Sequence, residues 1–199
     1  MYGLPISTER RKQLPKKAIY AKFELKQAQR ESFDADIARI DIVAVVSSST
    51  VPALLEGEAV KEFYVLDVQM KRKEYDAKNI LLLTRLIAQK MVFALRYEEQ
   101  VKLAVFYTKL FTTSWQPYDQ ATLPLSGLNL DAVWENIVKA IGHIEVAEGN
   151  TLSEQIAEDE RRAQLLVKIE SLERKMANEK QPRRKREYFE QIKKLKEQI

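Results

Sequence analysis

From Val60 to Trp115 the chain reads VKEFYVLDVQMKRKEYDAKNILLLTRLIAQKMVFALRYEEQVKLAVFYTKLFTTSW, and this stretch narrows the possible folds more than any other. Its first apolar run is short and rich in β-branched and aromatic residues, the composition of a strand over 62 to 71. Ile80 to Met91 is apolar on more than one side at helical length, which predicts a buried helix, with Asp76 placed to cap its first turn. Met91 to Leu95 and Val101 to Tyr107 then form the arms of a hairpin around the polar tip RYEEQ. Strand, buried helix and hairpin in succession require a sheet packed on helices.

The flanks extend that reading. Ile37 to Val46, IARIDIVAVV, is almost continuously apolar after Asp41, as in a strand covered on both faces, and is expected at the sheet centre. SSSTVPALLEGEA, from Ser47 to Ala59, breaks it without the Gly-x-x-x-x-Gly-Lys pattern of a phosphate loop. Residues 1 to 17 hold Gly3, Pro5 and Pro15 with no apolar period and read as a basic extended arm. Ala18 to Arg30 admits either a short strand or a short helix around Ile19, Phe23 and Leu25. Downstream, Leu110 to Trp115 adds a strand ended by Pro117. Leu130, Val133, Trp134, Ile137, Val138 and Ile141 stripe one helix, which Gly142 is expected to stop. The predicted class is α+β, a mixed, mainly antiparallel sheet over residues 18 to 145.

From about Leu152 the composition turns charged and helical. Leu165, Ile169, Leu172 and Met176 are spaced 4, 3 and 4, and Tyr188, Ile192, Leu195 and Ile199 repeat the spacing after Pro182. The proline break predicts an antiparallel helical hairpin over residues 152 to 199. Helices of this length are marginal alone, so the seams must bury against each other and against a second chain. The expected partner interface is Leu165, Ile169, Leu172, Met176, Tyr188, Ile192 and Leu195.

Composition excludes several chemistries. The 199 residues contain no cysteine, which removes disulfides and thiolate metal sites and agrees with a cytoplasmic location, and a single histidine, His143. No apolar run reaches the roughly 18 residues of a membrane span. The net charge of +4 says little by itself, but basic residues cluster. Arg10, Arg11, Lys16 and Lys17 in the arm and Arg183, Arg184 and Lys185 at the hairpin break are candidate phosphate contacts for sequence-independent DNA binding.

One constellation suggests catalysis. Asp41 on one strand and Asp67, Gln69 and Lys71 at alternate positions on the next match a common nuclease pattern, in which such groups converge on a magnesium ion that activates water. Any half-exposed sheet produces a polar face, however, and glutamine is a poor magnesium ligand. The nuclease is therefore the alternative, and magnesium is expected only with it.

The opening MYGLP with Ser7 and Thr8, then LPKKAIYAKF, VLDVQMK, VFALRYEEQVKLAV and the tail LERKMANEKQPRRKREYFEQIKKLKEQI together resemble, over nearly the whole chain, a bacterial family known as a domain of unknown function. Members of that family look like accessory proteins encoded beside helicases and DNA methyltransferases in restriction-like or phage-defence gene clusters. The resemblance implies a non-enzymatic accessory subunit without a cofactor. Its partner would be a second copy or a helicase- or methyltransferase-type protein, and it carries over no catalytic residue.

Overall fold

Strand β2 (Ile37–Ser47) and strand β3 (Glu62–Met70) form an antiparallel pair, and β3 then pairs in parallel with β4 (Lys90–Tyr97) in a computed structural model that describes residues 1–198. A parallel neighbour requires a crossover, and helix α3 (Ala77–Leu83) lies in it. β4 turns back antiparallel into β5 (Gln100–Phe106), whose far edge carries β6 (Leu110–Thr112) and the two-residue β7 (Gln116–Pro117). β1 (Glu9–Gln13) closes the other edge on β2, so the order is β1-β2-β3-β4-β5-β6. The sheet is mixed and mainly antiparallel, as the sequence predicts. It belongs to a compact unit spanning Met1–Ile144, and a second unit begins at Glu145.

Two register shifts in β2 decide which side chains share a face. Ile37 pairs with Met70 but Arg39 with Gln69, and Ile42 pairs with Leu66 but Ala44 with Val65. Each shift inserts one extra residue, which resets the two-residue alternation. Ile37, Ile40 and Ile42 therefore all reach one core with Leu66, Val68, Phe93 and Leu95. That core is covered by Ile19 of α1 (Lys16–Lys22), Phe33 of α2 (Gln27–Asp36) and Ile80 and Leu83 of α3. The opposite face carries the cross-strand pairs Ala44 with Val65 and Val46 with Phe63, and there the Trp134 ring meets Phe63 at 5.7 Å. Trp134 stands on α4 (Leu130–Gly142), whose six striped residues are all buried.

Several expectations need correction. The basic arm is no arm: residues 9 to 13 are the edge strand, while Tyr2, Leu4 and Thr8 are buried. A strand whose five residues are all exposed shows no alternation of hydrophobicity, so its pairing was invisible in the sequence. β2 is not central, since only β1 lies outside it, and its second face is half-buried. The predicted helix over 80 to 91 ends at Leu83, and Lys90 already begins β4. Its apolar continuity came from a short helix, a turn buried at Leu86 and a strand entry read as one run.

Gly142 does not stop α4 by adopting a left-handed conformation. His143 does so, at φ 50°, and a Cβ at Gly142 would stand 2.8 Å from Ile144 Cδ1 and 2.9 Å from Phe111 Cδ1. Close approach, rather than backbone freedom, requires glycine there.

Asp131, in the first turn of α4, fastens the loop before β3. Its carboxylate accepts backbone N–H bonds from Glu58 at 2.6 Å, Ala59 at 3.2 Å and Val60 at 2.7 Å. Partial burial pushes the pKa up, but those three donors outweigh it and hold it below the ordinary value. Asp131→Ala is expected to lower the urea midpoint by an amount equivalent to about 1 to 2 kcal/mol, because three N–H groups lose their acceptor. An unchanged midpoint would mean that water replaces the carboxylate without cost.

Candidate functional site

Three adjacent strands bring the polar residues of the first unit together. Register places Arg39, Gln69 and Arg96 in one row across β2, β3 and β4, and Asp41, Asp67 and Ala94 in the next. Val43, Arg11 of β1 and Met1 complete the wall of a basin of about 280 Å³. It lies near the carboxyl ends of the parallel pair β3 and β4, where open α/β sheets bind their ligands.

Two carboxylates directly opposite each other repel, and the basin answers with guanidinium groups. Arg39 donates to Asp41 from Nε at 2.6 Å and from Nη2 at 2.9 Å, and Arg96 Nε donates to Asp67 at 3.0 Å. The Asp67 side chain is only 6% exposed against 40% for Arg96. Burial raises the Asp67 pKa, and the attraction of Arg96 offsets this only in part. Beneath, the Arg96 guanidinium stacks on the Tyr118 ring at 5.7 Å, and that ring meets Tyr2 edge-on at 5.5 Å. The Tyr2 hydroxyl is buried, and that burial, followed by the charge of Asp67, drives its pKa up.

Asp41, Asp67 and Gln69 thus converge as the nuclease alternative needs, but Lys71 does not join them. It lies past the end of β3, where its backbone N–H donates to the Asp36 carbonyl and its charge acts on Asp34. Both carboxylates already accept from guanidinium groups, and no group of three carboxylate or imidazole side chains stands ready for a metal ion among the described residues. A magnesium ion at Asp41 and Asp67 would have to displace the guanidinium groups of Arg39 and Arg96 from them.

In the second unit, α5 (Leu152–Asn178) and α6 (Pro182–Lys196) pack as a hairpin. Thr151 and Glu154 close a capping box at the start of α5, and Pro182 opens α6 where no N–H is needed. Ile169, Leu172 and Ile192 are buried against Met176, Tyr188 and Leu195, and Lys196 pairs with Glu173 at 2.9 Å. These six seam residues bury against one another, the first of the two contacts expected of them. Leu165 is half-buried on α5, and Ile199 lies outside the described residues. The apolar side chains left exposed are Leu166, Val167 and Phe189, at 51%, 68% and 55%.

The expected phosphate contacts are dispersed. Lys16 is occupied, with Nζ donating to Asp34 at 2.6 Å and to the Ile37 carbonyl. Arg10 turns to the backbone of Ser7 and Glu9, Lys17 is exposed on α1, and Arg11 lines the basin. Arg183, Arg184 and Lys185 are exposed on the first turns of α6, Arg183 beside Glu187 at 3.5 Å. Sequence reasoning missed Arg39 and Arg96, although Arg39 stands two positions before Asp41 on the same strand. It missed Tyr2 as well, for which the sequence holds no signal.

No helix among the described residues is long and apolar enough to cross a membrane. Neither the curated proteins nor the solved structures contain a match to this chain. Over residues 2–199 the sequence matches the family described as domain of unknown function DUF4391, and the chain belongs to that family.

Proposed function

We propose that the chain is a non-enzymatic accessory subunit of a bacterial DNA-targeting defence or restriction-like complex, docked through the outer face of its helical hairpin. The observation that carries the docking role is the hairpin's self-sufficiency. Its seam is closed by its own two helices, yet Leu166, Val167 and Phe189 remain exposed among dense charge. Apolar side chains that an internal seam does not use favour contact with another protein. The defence setting rests on the family resemblance alone, whose members look like proteins encoded beside helicases and DNA methyltransferases. The neutralised carboxylates of the basin support an accessory rather than a hydrolytic role.

The test is co-expression with a helicase-type and a methyltransferase-type protein of the kind the family resemblance implies, followed by size-exclusion chromatography with light scattering. The wild type is expected to co-elute with one of them. The variant Leu166→Glu/Val167→Glu/Phe189→Glu is expected to elute alone while keeping its melting temperature. Co-elution of that folded variant at wild-type yield would overturn the docking face, and a wild type that elutes alone beside both partners would overturn the subunit role.

A further inference from the structure

We propose that the basin on β2, β3 and β4 binds a phosphate ester, with Arg11, Arg39 and Arg96 holding the phosphoryl oxygens. A guanidinium carries five N–H donors. Arg39 spends Nε and Nη2 on Asp41, and Arg96 spends Nε on Asp67, so the basin retains Nη donors with no acceptor assigned to them. Arg11 forms no ion pair among the described residues. Three cationic groups face two carboxylates, one of them nearly closed off from solvent. What the basin lacks is a multivalent acceptor.

Geometry selects the acceptor. Planar guanidinium forks arriving from three strands suit a group that offers several oxygens in different directions, as a phosphoryl group does and a single carboxylate does not. Asp41 and Asp67 act as positioning residues: by fixing Arg39 and Arg96 beforehand they remove much of the side-chain entropy that binding would otherwise cost. The volume of about 280 Å³ exceeds a bare phosphoryl group and leaves room for an attached sugar against Val43 and Met1. This site is independent of the hairpin, so docking and phosphate binding stand or fall separately.

A nucleotide and a nucleic-acid strand share this chemistry, and the experiment separates them. The full chain is titrated at low salt against a fluorescein-labelled single-stranded oligothymidylate by anisotropy, and against thymidine 5′-monophosphate by calorimetry. Binding of the strand alone assigns the site to a nucleic-acid backbone, and comparable binding of the mononucleotide assigns it to a nucleotide. In either case Arg11→Gln/Arg39→Gln is expected to weaken binding about tenfold or more and to flatten its salt dependence. Both positions are exposed, so the fold should persist, and Arg11→Gln alone keeps the test open if the pair does not. Lys78→Gln/Lys168→Gln, at two exposed lysines outside the basin, serves as the control and is expected to bind as the wild type does. Failure of both ligands to bind at about 1 mM, the weak end of specific affinity, would overturn the site. So would wild-type binding by a folded Arg11→Gln/Arg39→Gln chain.

Discussion

Asp36→Ala is expected to cost the first unit about 3 to 5 kcal/mol, the largest loss from any single polar substitution in it. Asp36 closes α2 with 0% of its surface exposed. Its Oδ1 accepts from Arg72 Nε at 2.6 Å, and its Oδ2 accepts from the Asp76 N–H at 2.9 Å and from Asn79 Nδ2 at 2.7 Å. One carboxylate thus joins the end of α2, the loop leaving β3 and the first turn of α3, the parts that build the crossover. Truncation would leave the Asp76 N–H without its acceptor and the buried Asn79 amide with only its longer bond to Ser32 Oγ at 3.2 Å, and the helix would lose its anchor to the sheet.

Protonation should act in the same direction. Burial pushes the Asp36 pKa up, but the bonds from Asp76, Asn79 and Arg72 outweigh it, so the folded value lies below the ordinary one. Stability from such a group is present in full above the unfolded pKa, about 3.9, and is lost as pH falls through the depressed folded value. Urea titrations between neutral pH and strong acid should therefore show the wild type and Asp36→Ala converging only in acid. A constant gap across that range would show that the loss is one of packing, not of charge.

How much of this was legible can be followed residue by residue. The strands around Val65, Phe93 and Leu103 announced themselves because buried apolar residues leave a pattern, and Asp76 and the α4 stripe did so through capping and helical spacing. β1 left none, since its place depends on backbone pairing with β2 rather than on what its side chains bury. The two bulges of β2 were equally silent: alternation counted from Ile40 puts Ala44 on the wrong face. The hairpin was legible as two seams, but spacing alone does not distinguish a seam closed by its own second helix from one that waits for another chain. For the basin, Asp41, Asp67 and Gln69 were visible as one face. The two arginines that change its chemistry depend on a cross-strand register that spans three strands.

Removing Arg96 while leaving Asp67 should expose the electrostatics of the basin most directly. Asp67 is 4% exposed, and its charge is tolerated because the Arg96 guanidinium stands beside it. Arg96→Met keeps much of the stem that lies over Tyr118 but strands the carboxylate. The expected cost is about 2 to 4 kcal/mol at neutral pH, below that of a fully enclosed pair because Arg96 itself is 40% exposed. The pH dependence has the opposite sense to that of Asp36. Burial already raises the folded Asp67 pKa above its unfolded value, and loss of Arg96 raises it further. The penalty is therefore absent below the unfolded pKa and complete only above the folded one, so Arg96→Met should regain stability as pH falls through that raised value. Asp67→Asn removes the charge that needs a partner, and the double variant should recover most of what Arg96→Met loses, giving a coupling of about 1 to 3 kcal/mol in a double-mutant cycle. Strict additivity of the two substitutions would mean that water, rather than Arg96, solvates Asp67, and the guanidinium would then be free to leave its place on the basin floor. A coupling of the expected size instead fixes Arg96 where its remaining donors face the cavity, the arrangement that phosphate binding requires.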